Sequence, residues 1–167
     1  MDEAGLYLLP GLVRTYSPEG VTPVVYQWQT RDHLSLMAGL TRRGRLSVLV
    51  RADALGGGDS AEFLGRLARR GRWLVVWDGS PIHRCEPVRE LLASRPLGRR
   101  VWLERLPGYA PELNPVEGLW QHLKNVELRN VVCLDAGHLR EELQLAIGRV
   151  RQKGWLATSF YKAAGLT

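Results

Sequence analysis

Two acidic residues stand where an α/β protein commonly places its chemistry. Asp78 ends the apolar run "RWLVVWDG" (72–79), which is typical of a buried strand. Side chains at the carboxyl end of a strand leave the core and enter a crevice, so Asp78 is positioned for binding or catalysis. Glu117 comes two residues after Pro115, and a proline is best tolerated at the first position of a helix. Glu117 therefore belongs to the first turn of a predicted helix.

Each acid also has a structural explanation that the sequence leaves open. Asp78 begins "DGSP", and Asp followed by Gly readily forms a turn. With Asn114 as the N-cap, Glu117 is the third helical residue and would complete a capping box. Asp2 and Glu3 lie at the start of the sequence, where a frayed terminus is the simpler interpretation.

Three carboxylates would nevertheless make chemical sense as one set, formed by Asp2, Asp78 and Glu117. Two divalent cations held about 3.5–4 Å apart can activate a water or hydroxyl and stabilise the leaving oxygen in phosphodiester cleavage. Mg²⁺ prefers oxygen ligands and keeps some of its waters, so a few carboxylates suffice. His83, five residues after Asp78, could contact a phosphate or steady the loop; the alternative is a partly exposed histidine at a helix start.

The basic composition indicates a polyanionic partner. The net charge is +6, the pI is about 9.8, and the 23 basic residues are almost all arginine. The arginine fork fits phosphate, which favours nucleic acid. A GC-rich genome would also enrich arginine, so composition alone leaves this partner open.

Other classes of protein are disfavoured by simple features of the chain. No run approaches the roughly 20 apolar residues of a membrane span, and acids stand where a signal peptide carries basic residues. Cys85 and Cys133 form no CxxC pattern, which fits a reducing compartment and argues against a zinc site. We therefore expect a cytoplasmic protein with no membrane association.

The predicted elements place antiparallel strands first and βα units second. Strands are predicted over 4–10, 24–30, 72–79 and 100–107, with a hairpin over 33–52. Helices are predicted over 59–71, 86–94, from Pro115, and from about Asp135 to Gly154. This order predicts a single α/β domain over residues 1–167, with a mixed sheet and helices on its faces.

Two of these helices carry clear amphipathic patterns. In the helix over 59–71, Asp59 and Glu62 predict a capping box. Its apolar face is predicted to comprise Phe63, Leu64, Leu67 and Ala68. The last helix places on one side Leu139, Leu143, Ala146, Ile147 and Val150. Trp120 is assigned to the core face of its own helix.

Three sequence blocks, in order, carry a family resemblance. They are "DEAGLYLLPGLVRTYSPEGVTP", "VVWDGSPIHRCEPVRELLA" and "LERLPGYAPELNPVEGLWQHLK". Together they resemble the catalytic half of bacterial insertion-sequence transposases of the Tc/mariner superfamily. The resemblance extends from residue 2 to about residue 150.

The resemblance implies a ribonuclease-H-like fold with an Asp-Asp-Glu triad that falls on Asp2, Asp78 and Glu117. Two Mg²⁺ ions, replaceable by Mn²⁺, would be bound there, with Glu3, His83 and Asn114 in supporting positions. The implied reaction is hydrolytic nicking at the element ends, followed by attack of the freed 3′-hydroxyl on target DNA, usually at TA. A homodimer on DNA and a bacterial, nucleoid-associated location are implied as well.

The chain departs from the family pattern in several places. Gly79 stands where the family usually has Asn, so a loop contact is expected to be missing, and "SRPLGRR" (94–100) is expected to absorb a long Asp78-to-Glu117 spacing. The N-terminal helix-turn-helix region is expected to be absent, which would leave it to a partner product. A strand that starts at Met1 is expected to hold Asp2 loosely.

Two rival functions remain after the sequence is considered. One is a nuclease of the same fold that degrades RNA–DNA hybrids. The other is an inactive transposase remnant that only binds DNA or a partner transposase through its basic surface.

Overall fold

The computed structural model describes residues 1–26, 32–108 and 110–166, and it contains two small sheets covered by helices. An antiparallel sheet is formed in the order β1 (Asp2–Tyr7), β2 (His33–Leu40) and β3 (Leu46–Arg51). A parallel pair is formed by β4 (Trp73–Trp77) and β5 (Val101–Arg105). The helices are α1 (Gly57–Arg70), α2 (Glu86–Ala93), α3 (Pro115–His122), α4 (Ala136–Gln152) and α5 (Trp155–Ala163).

The predicted hairpin is confirmed as β2 and β3. Its turn is closed by the bond from Thr41 N to Arg45 O, 3.0 Å, and Gly44 adopts a φ of +82°. Glycine reaches this region without steric cost, which explains why "TRRGR" reverses the chain here.

The helices lie on both faces of the sheets, as predicted, because β2 sends alternate side chains into two different cores. One core joins Leu34, Leu36 and Ala38 to α3, α4 and α5. The other joins Met37 to α1, α2 and the parallel pair. The predicted apolar faces of α1 and α4 are buried in these cores. The mixed α/β class is therefore confirmed.

Within the described ranges, a main-chain hydrogen bond from the nitrogen of Met1 to Val76 O, 2.8 Å, joins the two sheets. The order of elements predicts that Asp2 and Asp78 lie on separate strands of one sheet. Instead Asp2 belongs to the antiparallel sheet and Asp78 follows the parallel pair. The two acids are still neighbours, because this hydrogen bond holds the start of β1 against β4.

The first predicted strand is displaced along the chain. The strand predicted over 4–10 occupies Asp2–Tyr7, because this stretch is the one that pairs with β2. Of the strand predicted over 24–30, residues 24–26 are exposed and form no strand, and the remainder lies outside the described residues.

Two predictions about helix ends also differ from the structure. α1 starts two residues before Asp59, whose carboxylate accepts from Gly56 N at 2.9 Å, so Asp59 is not the N-cap. Glu62 contacts Arg51 Nη2 at 2.6 Å instead of completing a capping box. Beyond Gly154, the chain continues into α5, which the sequence did not predict.

Within the described ranges, none of the helices combines the length and the apolar character needed to cross a lipid bilayer.

Candidate active site

Asp2 is a buried acid that is held firmly rather than loosely. It is 8% exposed, it lies opposite Ala38 in the β1–β2 ladder, and its Oδ2 accepts from Trp120 Nε1 at 2.8 Å. Burial raises the pKa of Asp2 to about 6; the Trp120 hydrogen bond opposes this shift, and the negative charges of Glu117 and Glu3 reinforce it. The expectation of a loosely placed acid is wrong, because the indole anchors it.

Asp78 combines the two roles that its sequence left open. Its Oδ1 accepts from Ser80 N at 3.0 Å, which is the turn role, and the same atom lies 3.0 Å from His83 Nδ1. Its side chain is half exposed, so the carboxylate still faces solvent. Asp78 is thus oriented by the turn and remains accessible to a ligand.

His83 joins Asp78 to Glu3, and it is buried rather than partly exposed. Its ring stacks on Trp77 at a centroid distance of 4.0 Å, and Nε2 lies 2.7 Å from Glu3 Oε1. Burial alone lowers the pKa of His83, but the hydrogen bond and charge of Glu3, with those of Asp78, outweigh it, so the pKa is raised. The ring therefore links two acids and favours its charged form.

Glu117 is at the start of α3 but does not complete a capping box. Asn114 is buried and is the N-cap, since its side chain accepts from Val116 N at 3.2 Å. The main-chain N–H of Asn114, which a capping glutamate would bind, donates to Pro111 O at 2.9 Å. Within the described part of the chain, the Glu117 carboxylate has no hydrogen bond or ion pair, and it is available for a ligand.

Asp2, Asp78 and Glu117 line one cavity of about 380 Å³. Other parts of its wall come from Arg105, at the end of β5, and from Asn114. The three acids reach this cavity from β1, from the end of β4 and from the first turn of α3. The structure therefore brings together the three residues that the resemblance selected.

Gly79 explains how the cavity accommodates Arg105. A Cβ added at Gly79 would lie 2.2 Å from Arg105 Nη2, which is far inside van der Waals contact. The guanidinium thus fills the space beside Gly79 where a longer side chain would otherwise stand. At the position where the family usually has an Asn side chain, the exposed Arg105 side chain lies beside Gly79 at the cavity.

Sequence reasoning missed two residues of this site, Arg105 and the indole N–H of Trp120. Trp120 was assigned to the core, and it is buried, but its polar atom serves Asp2. The position of Arg105 could have indicated its role, because it is the last residue of β5 and pairs with Trp77, the last residue of β4. The segment 94–100 forms a turn and a short 3-10 helix between α2 and β5, and it lines no part of the acid cavity.

The side chains suit a hard divalent cation. Oxygen ligands from carboxylates are what Mg²⁺ and Mn²⁺ prefer. Among the described residues, the group whose ligand atoms lie within 4.8 Å of one another is formed by Glu3, Asp78 and His83, whereas Asp2 and Glu117 share only the cavity with Asp78. A charged His83 would oppose a cation in that group, so the acid-lined cavity is the better candidate.

The mixed α/β domain, with acids where the antiparallel sheet meets the parallel pair, has a ribonuclease-H-like fold. The chain belongs to the DDE superfamily endonuclease family, whose pattern matches residues 1–139. No curated protein matches it in sequence.

Solved structures of the Mos1 transposase share the fold. The Mos1 mariner paired end complex with Mn has a TM-score of 0.65 at 14% identity, covering 98% of this chain and 52% of that one. A pre-cleavage Mos1 transpososome has a TM-score of 0.61 at 13% identity, covering 94% and 53%. The Mos1 Strand Transfer Complex has a TM-score of 0.58 at 14% identity, covering 94% and 52%. The chain thus spans about half the length of these proteins.

Proposed function

We propose that this chain is the catalytic domain of a DNA transposase, which cleaves DNA strands and joins the freed end to a target in a metal-dependent reaction. The observation that carries the proposal is the convergence of Asp2, Asp78 and Glu117 on one cavity in a member of the DDE endonuclease family. Two Mg²⁺ ions, or Mn²⁺ in their place, would activate the attacking oxygen and stabilise the leaving oxygen.

The three acids would hold the metal ions, each from a differently constrained position. Asp2 is fixed by Trp120 and the β-ladder, while Asp78 is fixed by Ser80 N and His83. Glu117 brings a carboxylate that has no hydrogen bond or ion pair among the described residues. Because the negative charges of Glu117 and Glu3 act on Asp2, bound cations would relieve this repulsion, which supports the assignment.

Glu3, His83 and Asn114 would act by positioning rather than by touching the reacting atoms. Glu3 holds the far nitrogen of His83, whose near nitrogen orients Asp78. Asn114 starts α3 at a fixed residue and so sets the place of Glu117. These contacts keep the carboxylates in place before any cation or DNA binds.

Arg105 would contact the DNA backbone beside the cleaved bond. Its guanidinium is exposed and shares the cavity with the acids, which suits a phosphate that approaches the metal ions. A fixed positive group also stabilises the charge that develops on the phosphate during cleavage.

The partners follow the same reasoning. Mos1 forms paired end and strand transfer complexes, and we extend to this chain the binding of element ends and target DNA by a homodimer. The net charge of +6 supports a DNA partner. A helix-turn-helix product would supply recognition of the element ends, and the site of action would be the bacterial nucleoid.

A nicking assay on supercoiled plasmid tests this proposal. We expect Mg²⁺ or Mn²⁺ to support conversion to open circles, and Asp78→Asn to abolish it. The matched control is Asp53→Asn, which removes an exposed acid that lines no part of the cavity. Equal nicking by the Asp78 and Asp53 variants would contradict the assignment.

The rival functions give different outcomes in the same experiment. Degradation of an RNA–DNA hybrid with no joining of DNA ends would favour a hybrid nuclease. Metal-independent DNA binding by a wild-type chain that cuts nothing would favour an inactive remnant.

A further inference from the structure

A basic surface lies at the end of the parallel pair that is farthest from the acids. β4 and β5 run in the same direction, and Asp78 and Arg105 stand at their carboxyl ends. The two segments that precede these strands, 65–72 and 94–100, contain seven arginines and no acidic residue. Each strand has five residues, so the two ends of the pair are separated by roughly 16 Å.

The fold holds these two segments against each other. Because Trp73 pairs with Val101, the residues that precede them, Arg72 and Arg100, lead side by side into neighbouring strands. The Nη1 atom of Arg100 also donates to Ala68 O, in the last turn of α1, at 3.4 Å. The arginines of both segments therefore belong to one surface.

Most of these arginines are exposed and are not neutralised by the chain itself. Arg66 pairs with Glu62. Among the described residues, the six others form no ion pair, and they are all exposed: Arg69, Arg70, Arg72, Arg95, Arg99 and Arg100. We call these six residues the arginine surface.

The stability of the fold accounts for only half of the arginine surface. Arg69 and Arg70 lie in the last turn of α1, where the helix dipole favours a cation, and Arg100 binds a carbonyl of the same turn. Three residues remain that have neither a hydrogen bond nor an ion pair within the described ranges: Arg72, Arg95 and Arg99. Like charges repel one another and oppose folding, so this cluster indicates an anionic partner.

The chemistry of the surface fits a phosphate backbone better than a protein. The arginine fork binds phosphate oxygens in pairs. Within 65–73 and 94–101, none of the large apolar side chains is exposed, whereas a protein interface typically has an apolar centre from which charged residues are depleted. A row of exposed guanidinium groups with no apolar anchor is typical of contacts to nucleic-acid phosphates.

We propose that the arginine surface binds the backbone of a DNA segment remote from the cleaved bond. The surface lies at the opposite end of β4 and β5 from the acids, so it acts without metal ions and without cleavage. It would hold DNA on the enzyme while the acids act elsewhere, and it would read no sequence, since phosphates carry none. The choice of DNA as the partner rests on the proposed function.

Fluorescence anisotropy with a labelled duplex of roughly 20 base pairs, without divalent metal, tests the surface. The variant combines Arg72→Gln, Arg95→Gln and Arg99→Gln. At about 0.1 M salt we expect it to bind more than about tenfold weaker than the wild-type chain. The slope of log affinity against log salt should fall by about 3, or one for each lost phosphate contact. Unchanged affinity and slope would overturn the proposal.

The matched control combines Arg14→Gln, Arg43→Gln and Arg129→Gln. These arginines are exposed and lie outside the arginine surface, and the control loses the same net charge. We expect it to keep most of the wild-type affinity and salt slope. Equal weakening by the two triple variants would show that binding follows net charge alone, which would overturn the proposal.

Asp78→Asn separates this inference from the proposed function. It removes a negative charge from the acid cavity, so we expect it to bind the duplex without metal at least as tightly as the wild-type chain does. Loss of that binding would place the DNA at the acids and would overturn the remote surface. Nicking that needs Asp78, with duplex binding that the arginine variant keeps, would leave the proposed function standing and overturn this surface alone.

Vesicles that contain phosphatidylserine test a lipid as the alternative anionic partner. We expect the arginine variant to lose duplex binding whether or not the chain binds vesicles. Vesicle binding that the arginine variant loses, together with duplex binding that it keeps, would make a membrane the partner and overturn the proposal.

Discussion

Asp2 and Glu127 both have side chains with little exposure to solvent, but their surroundings carry opposite charge. The side chain of Glu127 is 4% exposed and contacts Arg149 Nε at 2.5 Å, Lys153 Nζ at 2.8 Å and His122 Nε2 at 3.2 Å. Among the described residues, Asp2 accepts from the neutral indole of Trp120, and the acids Glu117 and Glu3 act on it together with the positive chain start. Burial disfavours the charged form of both carboxylates, so the groups around each one decide the direction in which its pKa moves.

The two pKa shifts express this difference. Burial alone would raise the pKa of Glu127, but the hydrogen bonds from Arg149, Lys153 and His122 outweigh it and lower the pKa to about 2. Burial raises the pKa of Asp2 to about 6, with a further contribution from Glu117. A carboxylate that the chain itself neutralises serves the fold, whereas one left among other acids is suited to an external cation.

Removing an acid of the cavity should separate function from stability most sharply. For Glu117→Gln we expect plasmid nicking to fall by about a thousandfold or more, because a metal ligand is lost. The free energy of unfolding should stay within about 0.5 kcal/mol of wild type or rise, since a repulsive charge near Asp2 is removed. Urea unfolding and the nicking assay measure the two effects.

The control is Glu112→Gln, an exposed acid in the turn before α3 that lines no part of the acid cavity. It should retain wild-type nicking. If Glu117→Gln lowers the free energy of unfolding together with the nicking activity, Glu117 stabilises the fold and is not part of the site.

Glu127→Gln should give the reverse pattern. We expect a loss of about 2 kcal/mol in the free energy of unfolding near neutral pH, with nicking by the folded variant unchanged, because Glu127 ties the end of α3 to α4. A depressed pKa contributes stability that is present above the ordinary value near 4.5 and is lost as pH falls toward 2. The difference between wild type and variant should therefore shrink below about pH 4.5.

Urea unfolding at several pH values between 6 and 3 measures this difference. A gap between wild type and Glu127→Gln that stays constant over the whole range would show that the Glu127 charge does not contribute to stability.

Trp120→Phe should have an intermediate effect on nicking, because it acts on the site through Asp2. An aromatic ring is kept, although a smaller one, while the hydrogen bond to Asp2 Oδ2 is lost. We expect nicking to fall about tenfold, since a hydrogen bond to a charged group is worth roughly 1.5 kcal/mol or more. Trp155→Phe, an exposed indole on α5, is the matched control. Equal nicking by the two variants would remove Trp120 from the site.

Gly79→Asn should have the smallest effect. The new side chain must displace the Arg105 guanidinium, and we expect nicking to fall about threefold. In an Arg105→Ala background the same substitution should have no effect, because the clash has gone. Equal effects in both backgrounds would show that Gly79 acts independently of Arg105.

The hairpin, the βα order and the apolar faces of α1 and α4 could be predicted because local pattern determines them. Phe63 and Leu139, for example, fall on helical periods that the structure buries. The described part of the strand predicted over 24–30 is wrong for the opposite reason. Val24 and Tyr26 have strand-forming side chains, but among the described residues they pair with no strand and stay exposed.

The site was predicted through its acids and not through the groups that hold them. The resemblance located Asp2, Asp78 and Glu117, whereas Trp120 and Arg105 act through contacts across the fold. The hydrogen bond from Trp120 to Asp2, for example, joins residues that are 118 positions apart in the sequence. The capping function of Glu117 could not be decided locally, because Pro111 O takes the Asn114 N–H that a capping glutamate needs.

Mn²⁺ binding followed by electron paramagnetic resonance tests the central claim most directly, because free Mn²⁺ gives a signal that binding removes. We predict that the wild-type chain and Glu127→Gln bind one or two ions equally, and that Asp78→Asn loses this binding. Undiminished Mn²⁺ binding by Asp78→Asn, or its loss in a folded Glu127→Gln, would contradict the account.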